Sequence, residues 1–225
     1  MIAAVSSSPK VVLNLSILFK EAGWLLICFL QSLPAIAQPA AQPPPPASST
    51  PIAVVQAAAT LTHLTYEDRE AWRKVLQWSA ECEQAFDYPD KSFGGLEFYP
   101  LADKQYLVEV VCTTGAYQGY QVYYFYDETK QQPVAKLLTF ESRESQDEKS
   151  LTKIQTTELW GLPTFDTNTK ELKVFNKFRG IGDCGTLATY EFIDGQPKLK
   201  ELRAKLACDG KGTGDPEQWT RISLQ

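Results

Sequence analysis

The sequence predicts an α+β protein, mainly antiparallel β, in which one N-terminal helix packs on β-meanders within a single disulfide-stapled domain. Three observations point there. One amphipathic helical pattern, over 66–86, precedes nine short runs of β-forming residues. Those runs are separated by Asp, Gly, Asn and Pro, the residues that turn a chain between strands. Four cysteines, Cys82, Cys112, Cys184 and Cys208, fall in the same region, an even number in a chain that opens with an export-like leader.

The leader runs from Lys10 and Lys20 through the apolar stretch 22–33 to Ala35-Ile36-Ala37, a small-x-small site for cleavage before Gln38. Residues 1–37 are therefore read as a signal peptide. A membrane anchor competes, because 11–19 is also apolar. Lys20-Glu21 divides the two runs, however, and neither half supplies the roughly 20 apolar residues of a spanning helix. Cys28 follows Leu25-Leu26-Ile27 as in a lipoprotein box, but Ile27 stands where a small residue is required. The expectation is a periplasmic or extracellular protein with no stable membrane span after cleavage.

Residues 38–64 are read as a spacer. Pro43 to Pro46 are four consecutive prolines, which hold the chain extended, and the surrounding Ala, Gln and Ser offer little to a core. Residues 65–225 form the predicted domain, long enough to bury a core of its own. The formal charge of −5 becomes −6 once Lys10, Lys20 and Glu21 leave with the leader. That balance opposes a nucleic-acid role, which needs a basic face to displace counterions.

Within the domain, Thr65 is an N-cap for Tyr66-Glu67-Asp68, whose acids sit where the helix dipole favours them. Trp72, Val75, Leu76, Ser79, Cys82 and Phe86 then recur on one helical face. Pro89 and Gly94-Gly95 stop the helix. Strands are predicted over 96–99, 105–111, 120–126, 134–139, 152–159, 171–177, 186–193, 198–206 and 219–223. Asp194-Gly195 is the strongest hairpin signal. The runs 105–140 and 171–206 follow the same order of strand, cysteine-glycine loop, aromatic strand and turn, which reads as two quasi-repeated β units with Cys112 equivalent to Cys184. The ordinary order of antiparallel sheets accounts for the same pattern.

Four cysteines allow three connectivities. Pairing Cys82 with Cys112 and Cys184 with Cys208 is preferred, because each closes a loop of a few tens of residues, a contribution of about 3–4 kcal/mol in the loop-entropy model. A zinc site fails on spacing: there is no Cys-x-x-Cys, and His63 is the sole histidine. Nothing in the pattern asks for a metal or another cofactor.

Several segments imitate chemistry. Gly180-Ile181-Gly182-Asp183-Cys184-Gly185 satisfies G-x-G-x-x-G, yet a strand pattern follows it where a dinucleotide site needs a helix. It reads as a glycine-rich loop with Arg179 and Asp183 able to pair across its mouth. The run 209–216, rich in glycine, lacks both the GK[ST] of a phosphate loop and the acid spacing of a calcium loop, and reads as a mobile surface segment. His63 falls within the spacer, away from any glycine-flanked nucleophile, which argues against a histidine-based triad. The aromatic run places Tyr120, Val122, Tyr124 and Tyr126 on one strand face and Tyr123 and Phe125 on the other. Tyr117, Tyr120, Tyr124, Arg179 and Asp183 are the candidate binding surface, against the alternative that the aromatics simply cover both sides of a central strand.

Val110-Val111-Cys112-Thr113-Thr114-Gly115-Ala116-Tyr117, then Arg179-Gly180-Ile181-Gly182-Asp183-Cys184-Gly185, then Tyr190-Glu191-Phe192, Asp194-Gly195, Cys208 and Trp219 occur in this order. Together they resemble the bacterial exported family called domain of unknown function 1176. Gln118 departs from the asparagine expected after Gly-Ala-Tyr. The resemblance implies export and a cysteine-stapled domain, and assigns no catalytic residues.

The function predicted is a secreted or periplasmic binding or interaction module of the cell envelope, acting on an unknown envelope protein or ligand, with no recognisable catalytic apparatus. The alternatives are a carboxylate-dependent hydrolase on envelope polysaccharide, or a stapled inhibitor of another enzyme. N-terminal sequencing of the protein recovered from its native envelope is expected to begin at Gln38; a chain starting at Met1 with free thiols would overturn the export reading.

Overall fold

The computed structural model describes residues 57–86, 88–147, 150–212 and 214–224, and the leader and proline run lie outside them. It is mainly antiparallel β with few helices and two disulfides. Among the described residues no helix is long and apolar enough to cross a membrane.

Helix α1 (Tyr66–Leu76) begins with a reciprocal cap. Asp68 N–H donates to Thr65 Oγ1 at 3.4 Å, and Thr65 N–H donates to Asp68 Oδ2 at 2.7 Å, so two otherwise unpaired amides are satisfied. The single helix expected over 66–86 is broken: Gln77 turns left-handed (φ 60°), and α2 (Ala80–Ala85) restarts on the cap of Ser79, which accepts from Cys82 N–H. The break puts Trp78 into the core between the helices. Arg69, fully buried, fixes the corner. Its Nε donates to Glu83 at 3.0 Å, its Nη1 donates to Gly94 O at 3.1 Å, and its guanidinium lies 3.8 Å over the Phe86 ring. Glu83 also accepts Trp78 Nε1–H at 2.8 Å.

The large sheet takes the order β1 (Leu96–Ala102), β2 (Gln105–Thr113), β3 (Gly119–Asp127), β7 (Glu158–Asp166), β8 (Glu171–Lys177), β9 (Gly185–Ile193), β10 (Gln196–Lys205), β11 (Thr220–Arg221). Every pairing is antiparallel. Strand β4 (Val134–Leu137) shares an edge of β3 with β7: β4 takes Tyr124 to Asp127, β7 takes Gly119 to Val122. Strands β5 (Phe140–Asp147) and β6 (Ser150–Thr156) form a separate two-stranded sheet. Asp194 (φ 49°) and Gly195 (φ 72°) make the two-residue turn from β9 to β10. A Cβ on Gly195 would lie 2.6 Å from the Phe125 ring, so the turn also needs a residue without one.

Two sequence expectations change here. The strand expected at 152–159 is the end of β6 and the start of β7, divided at Thr156, whose Oγ1 accepts Glu158 N–H and donates to Glu158 O, both at 3.0 Å. Residues 57–64, assigned by composition to the spacer, pack on the core. Ala58 is buried, its N–H donates to Glu128 Oε1 at 2.9 Å, and Leu61 and Leu64 cover the helix-side cluster.

The β2 and β3 strands are covered on both faces. Tyr106, Val108, Val110, Val122, Tyr124 and Tyr126 meet Trp72, Leu76 and Trp78 of the helix layer. Leu107 and Tyr123 point the other way, into a second cluster with Phe140, Leu172 and Tyr190. Cys82 is bonded to Cys112, fastening α2 to β2, and Cys184 to Cys208, fastening the β8–β9 loop to the chain after β10. Cys112 lies within a strand whereas Cys184 lies in a loop.

Glu109 is the polar exception in β2. It is 5% exposed and accepts hydrogen bonds from Tyr99 Oη at 3.2 Å and Tyr123 Oη at 3.1 Å. Burial pushes its carboxyl up from 4.5 to about 7, against the opposing help of the two hydroxyls. Between these values the folded chain holds a proton that the unfolded chain has lost, so stability falls as pH rises through the window and levels off above it. Denaturant titrations at pH 4.5 and pH 8 are expected to differ by about 3 kcal/mol for this group, and Glu109→Gln to abolish that difference.

Candidate functional site

The β2–β3 and β8–β9 loops meet at one end of the sheet. Gln118 holds them together: its Nε2 donates to Asn176 Oδ1 at 2.9 Å, and its Oε1 accepts Lys177 N–H at 2.8 Å. Tyr117 lies beside Gly180, whose hypothetical Cβ would sit 3.6 Å from the Tyr117 ring. The two sequence motifs, around Cys112 and Cys184, are thus spatial neighbours although some 60 residues apart.

The β8–β9 loop is built around Asp183, which is fully buried. Arg179 Nε donates to Asp183 Oδ1 at 2.7 Å, Arg179 Nη2 donates to Oδ2, and Gly210 N–H donates to Oδ2 at 2.6 Å. The Arg179 hydrogen bonds hold this carboxyl well below the usual carboxylate range, with the Gly210 amide and the guanidinium charge adding to them. Gly180 to Gly185 runs from strand to strand with no helix after it, so it offers no helix N-terminus to a pyrophosphate. Gly185 (φ 154°) closes the loop so tightly that a Cβ there would meet Asn176 O at 2.1 Å.

The run 209–216 is joined to the site at its start. Gly210 is tied to Asp183, and Asp209 accepts from Lys205 Nζ at 3.0 Å and Lys211 N–H at 3.1 Å. Asp183, Cys184 and Cys208 present their oxygen and sulfur atoms within 4.8 Å of one another, but both sulfurs are spent in the disulfide and are not thiolate ligands.

The aromatic candidates do not form one platform. Tyr124 is 4% exposed in the helix-side core, where apolar burial outweighs display. Tyr120 is half-buried and stacks on Trp160 with ring centres 4.8 Å apart. Tyr117 is exposed, as are Arg179 in part and Ile181.

What sequence reading missed is a cleft of about 480 Å³ between the β5–β6 hairpin and strands β7 to β9. Its floor carries Leu159, Val174, Asn176, Thr186, Ala188 and Tyr190. The hairpin contributes Ser142, Glu144, Ile154 and Thr156, and Gln118 and Phe178 close the end nearest the motif loops. The hairpin is held by Tyr190, whose hydroxyl donates to Glu141 O at 3.0 Å, and by Phe140, packed edge-on against Tyr190 and Tyr123. Burial pushes the Tyr190 hydroxyl up, so it stays a neutral donor. Arg143, buried at the base of the hairpin, is neutralised by Glu141 at 2.8 Å. The hairpin strand that makes this wall is polar and charged, which is why period-two patterning does not reveal it.

Fold and site define a disulfide-stapled antiparallel β protein with a helical cover and a cleft beside its stapled loops. Residues 34–222 match the family described as protein of unknown function (DUF1176), and the chain belongs to that family. No curated protein and no solved structure matches it.

Asp183→Asn is expected to lower the melting temperature by about 5 °C at pH 7 in calorimetry. Because the carboxyl is held ionised in the folded state, its contribution is present above the ordinary value of 3.8 and is lost in stronger acid, so the gap between variant and parent is expected to close there.

Proposed function

We propose that this chain is an exported binding module of the cell envelope, comprising a leader at 1–37, a spacer after it and one ligand-binding domain, and that the cleft under the β5–β6 hairpin is its binding site. The observation that carries this reading is the partly enclosed volume of about 480 Å³ lined by apolar, polar and charged side chains together, a size within the range of small-molecule sites. The two disulfides are consistent with an oxidising compartment. Gln118 belongs to the motif loop and to the cleft wall at once, which ties Tyr117, Arg179 and Asp183 to the site as its supporting rim.

A hydrolase reading is less well supported. The carboxyl pushed up to about 7, Glu109, sits in the layer core between Tyr99 and Tyr123 and does not line the cleft. A catalytic acid must reach the bond it protonates. Stapled-loop inhibition would use Ile181, 56% exposed at the tip of the β8–β9 loop.

The test is retention of envelope material by the immobilised mature protein and by Ile154→Trp, which fills the cleft from its hairpin wall. Parent protein is expected to enrich a component that the variant, with unchanged circular dichroism, loses at least tenfold. Equal retention by both would move the site elsewhere; no enrichment by either would reject the module.

A further inference from the structure

The chemistry of the cleft wall narrows the ligand. Asn176 Oδ1 is occupied by Gln118, and among the described residues Asn176 Nδ2 has no hydrogen-bond partner. Thr186, 5% exposed, likewise places its hydroxyl in the cleft without a partner among them. Neither atom is sealed from solvent, so each can exchange water for a ligand's hydroxyl. Both lie on one sheet face, Asn176 on β8 opposite Thr186 on β9.

Between and beside these groups the surface is apolar. Val174 and Ala188 form the adjacent rung of the same strands, and Leu159 and Ile154 flank it. Along the floor the polar pair Asn176–Thr186 is followed by the apolar pair Val174–Ala188. The complement of such a floor is a molecule that carries hydroxyls at its edge and C–H groups on its faces.

Charge sets a further limit. Arg143, which also lines the cleft, is paired through Nη1 with Glu141, a carboxylate it shares with Lys153 at 2.5 Å. Glu144 and Glu158 add two carboxylates to the lining, which outweigh the cation that Arg143 and Lys153 leave over. A phosphate, sulfate or uronate would enter against this excess of negative charge.

We infer that the cleft takes a neutral oligosaccharide, with sugar hydroxyls on Asn176, Thr186 and Ser142 and a ring face on Val174 and Ala188. The inference rests on the cleft being the binding site, and adds the class of ligand. Ser142, whose hydroxyl also meets that of Tyr190, adds a third hydroxyl from the hairpin wall, so sheet and hairpin grip opposite edges of the sugar.

The test is calorimetric titration of the disulfide-intact protein with four defined probes: the tetramer of β-1,4-linked N-acetylglucosamine, maltotetraose, tetragalacturonate and tetra-alanine. At least one neutral sugar is expected to bind, at least tenfold more tightly than tetragalacturonate or tetra-alanine. Thr186→Val and Asn176→Ala, each checked for an unchanged melting temperature, are expected to weaken it about tenfold, the loss of roughly one hydrogen bond. Should one variant fail to fold, the other decides. Tighter binding of tetragalacturonate or tetra-alanine would overturn the ligand class while leaving the cleft as the site. Sugar binding untouched by both variants would overturn the placement. Absence of binding to all four would overturn the inference, while envelope retention lost in Ile154→Trp would still uphold the cleft.

Discussion

The structure depends on burying the central β2 and β3 strands on both faces at once. An antiparallel strand usually keeps one face for solvent, and its side chains then alternate between apolar and polar. Here Leu107, Val108, Val110, Tyr123 and Tyr124 are all nearly inaccessible, because helices cover one side and the β5–β6 hairpin with the second half of the sheet covers the other. Two separate hydrophobic clusters share these two strands as their common wall. Each cluster supplies the driving force that holds its own cover in place.

This constraint explains where polar groups had to be matched inside. Glu109 sits in the wall and is met by two tyrosine hydroxyls rather than a cation. Arg69 sits under the helix corner and is met by Glu83, a backbone carbonyl and two aromatic faces. Asp183 sits under the β8–β9 loop and is met by Arg179 and Gly210. Each buried polar group joins segments apart in sequence, so each acts as a point of registration between layers. The disulfides act at two of the same junctions, Cys82–Cys112 at the helix cover and Cys184–Cys208 beside Asp183.

The cleft follows from the same arrangement. Phe140 anchors the root of the hairpin by packing on Tyr123 and Tyr190, while the rest of the hairpin carries Ser142, Glu144 and Thr156 and does not close onto the floor. A hairpin apolar along its length would have sealed the gap into core. Its polar composition leaves a space beside the motif loops, with Gln118 joining the two.

Much of the fold was legible because local chemistry is strong where it was read. The Asp194-Gly195 turn, the cap at Thr65 and the alternation of Tyr123 against Tyr124 follow from backbone sterics, hydrogen-bond geometry and the two-residue period of a strand. Charge and the absence of a histidine beside any nucleophile narrowed the chemistry before any contact was known. Tertiary structure alone decided the rest. Polar β5 becomes a strand by pairing with β6, and β7 runs through Gly161 and Pro163 because β3 pairs with its first half and β8 with its second. The helix stops at Gln77, which turns left-handed, and Trp78 and Cys82 beyond the break are both buried in the core. The cleft belongs to no segment: its walls come from β5 to β9, and only packing sets the distance between them.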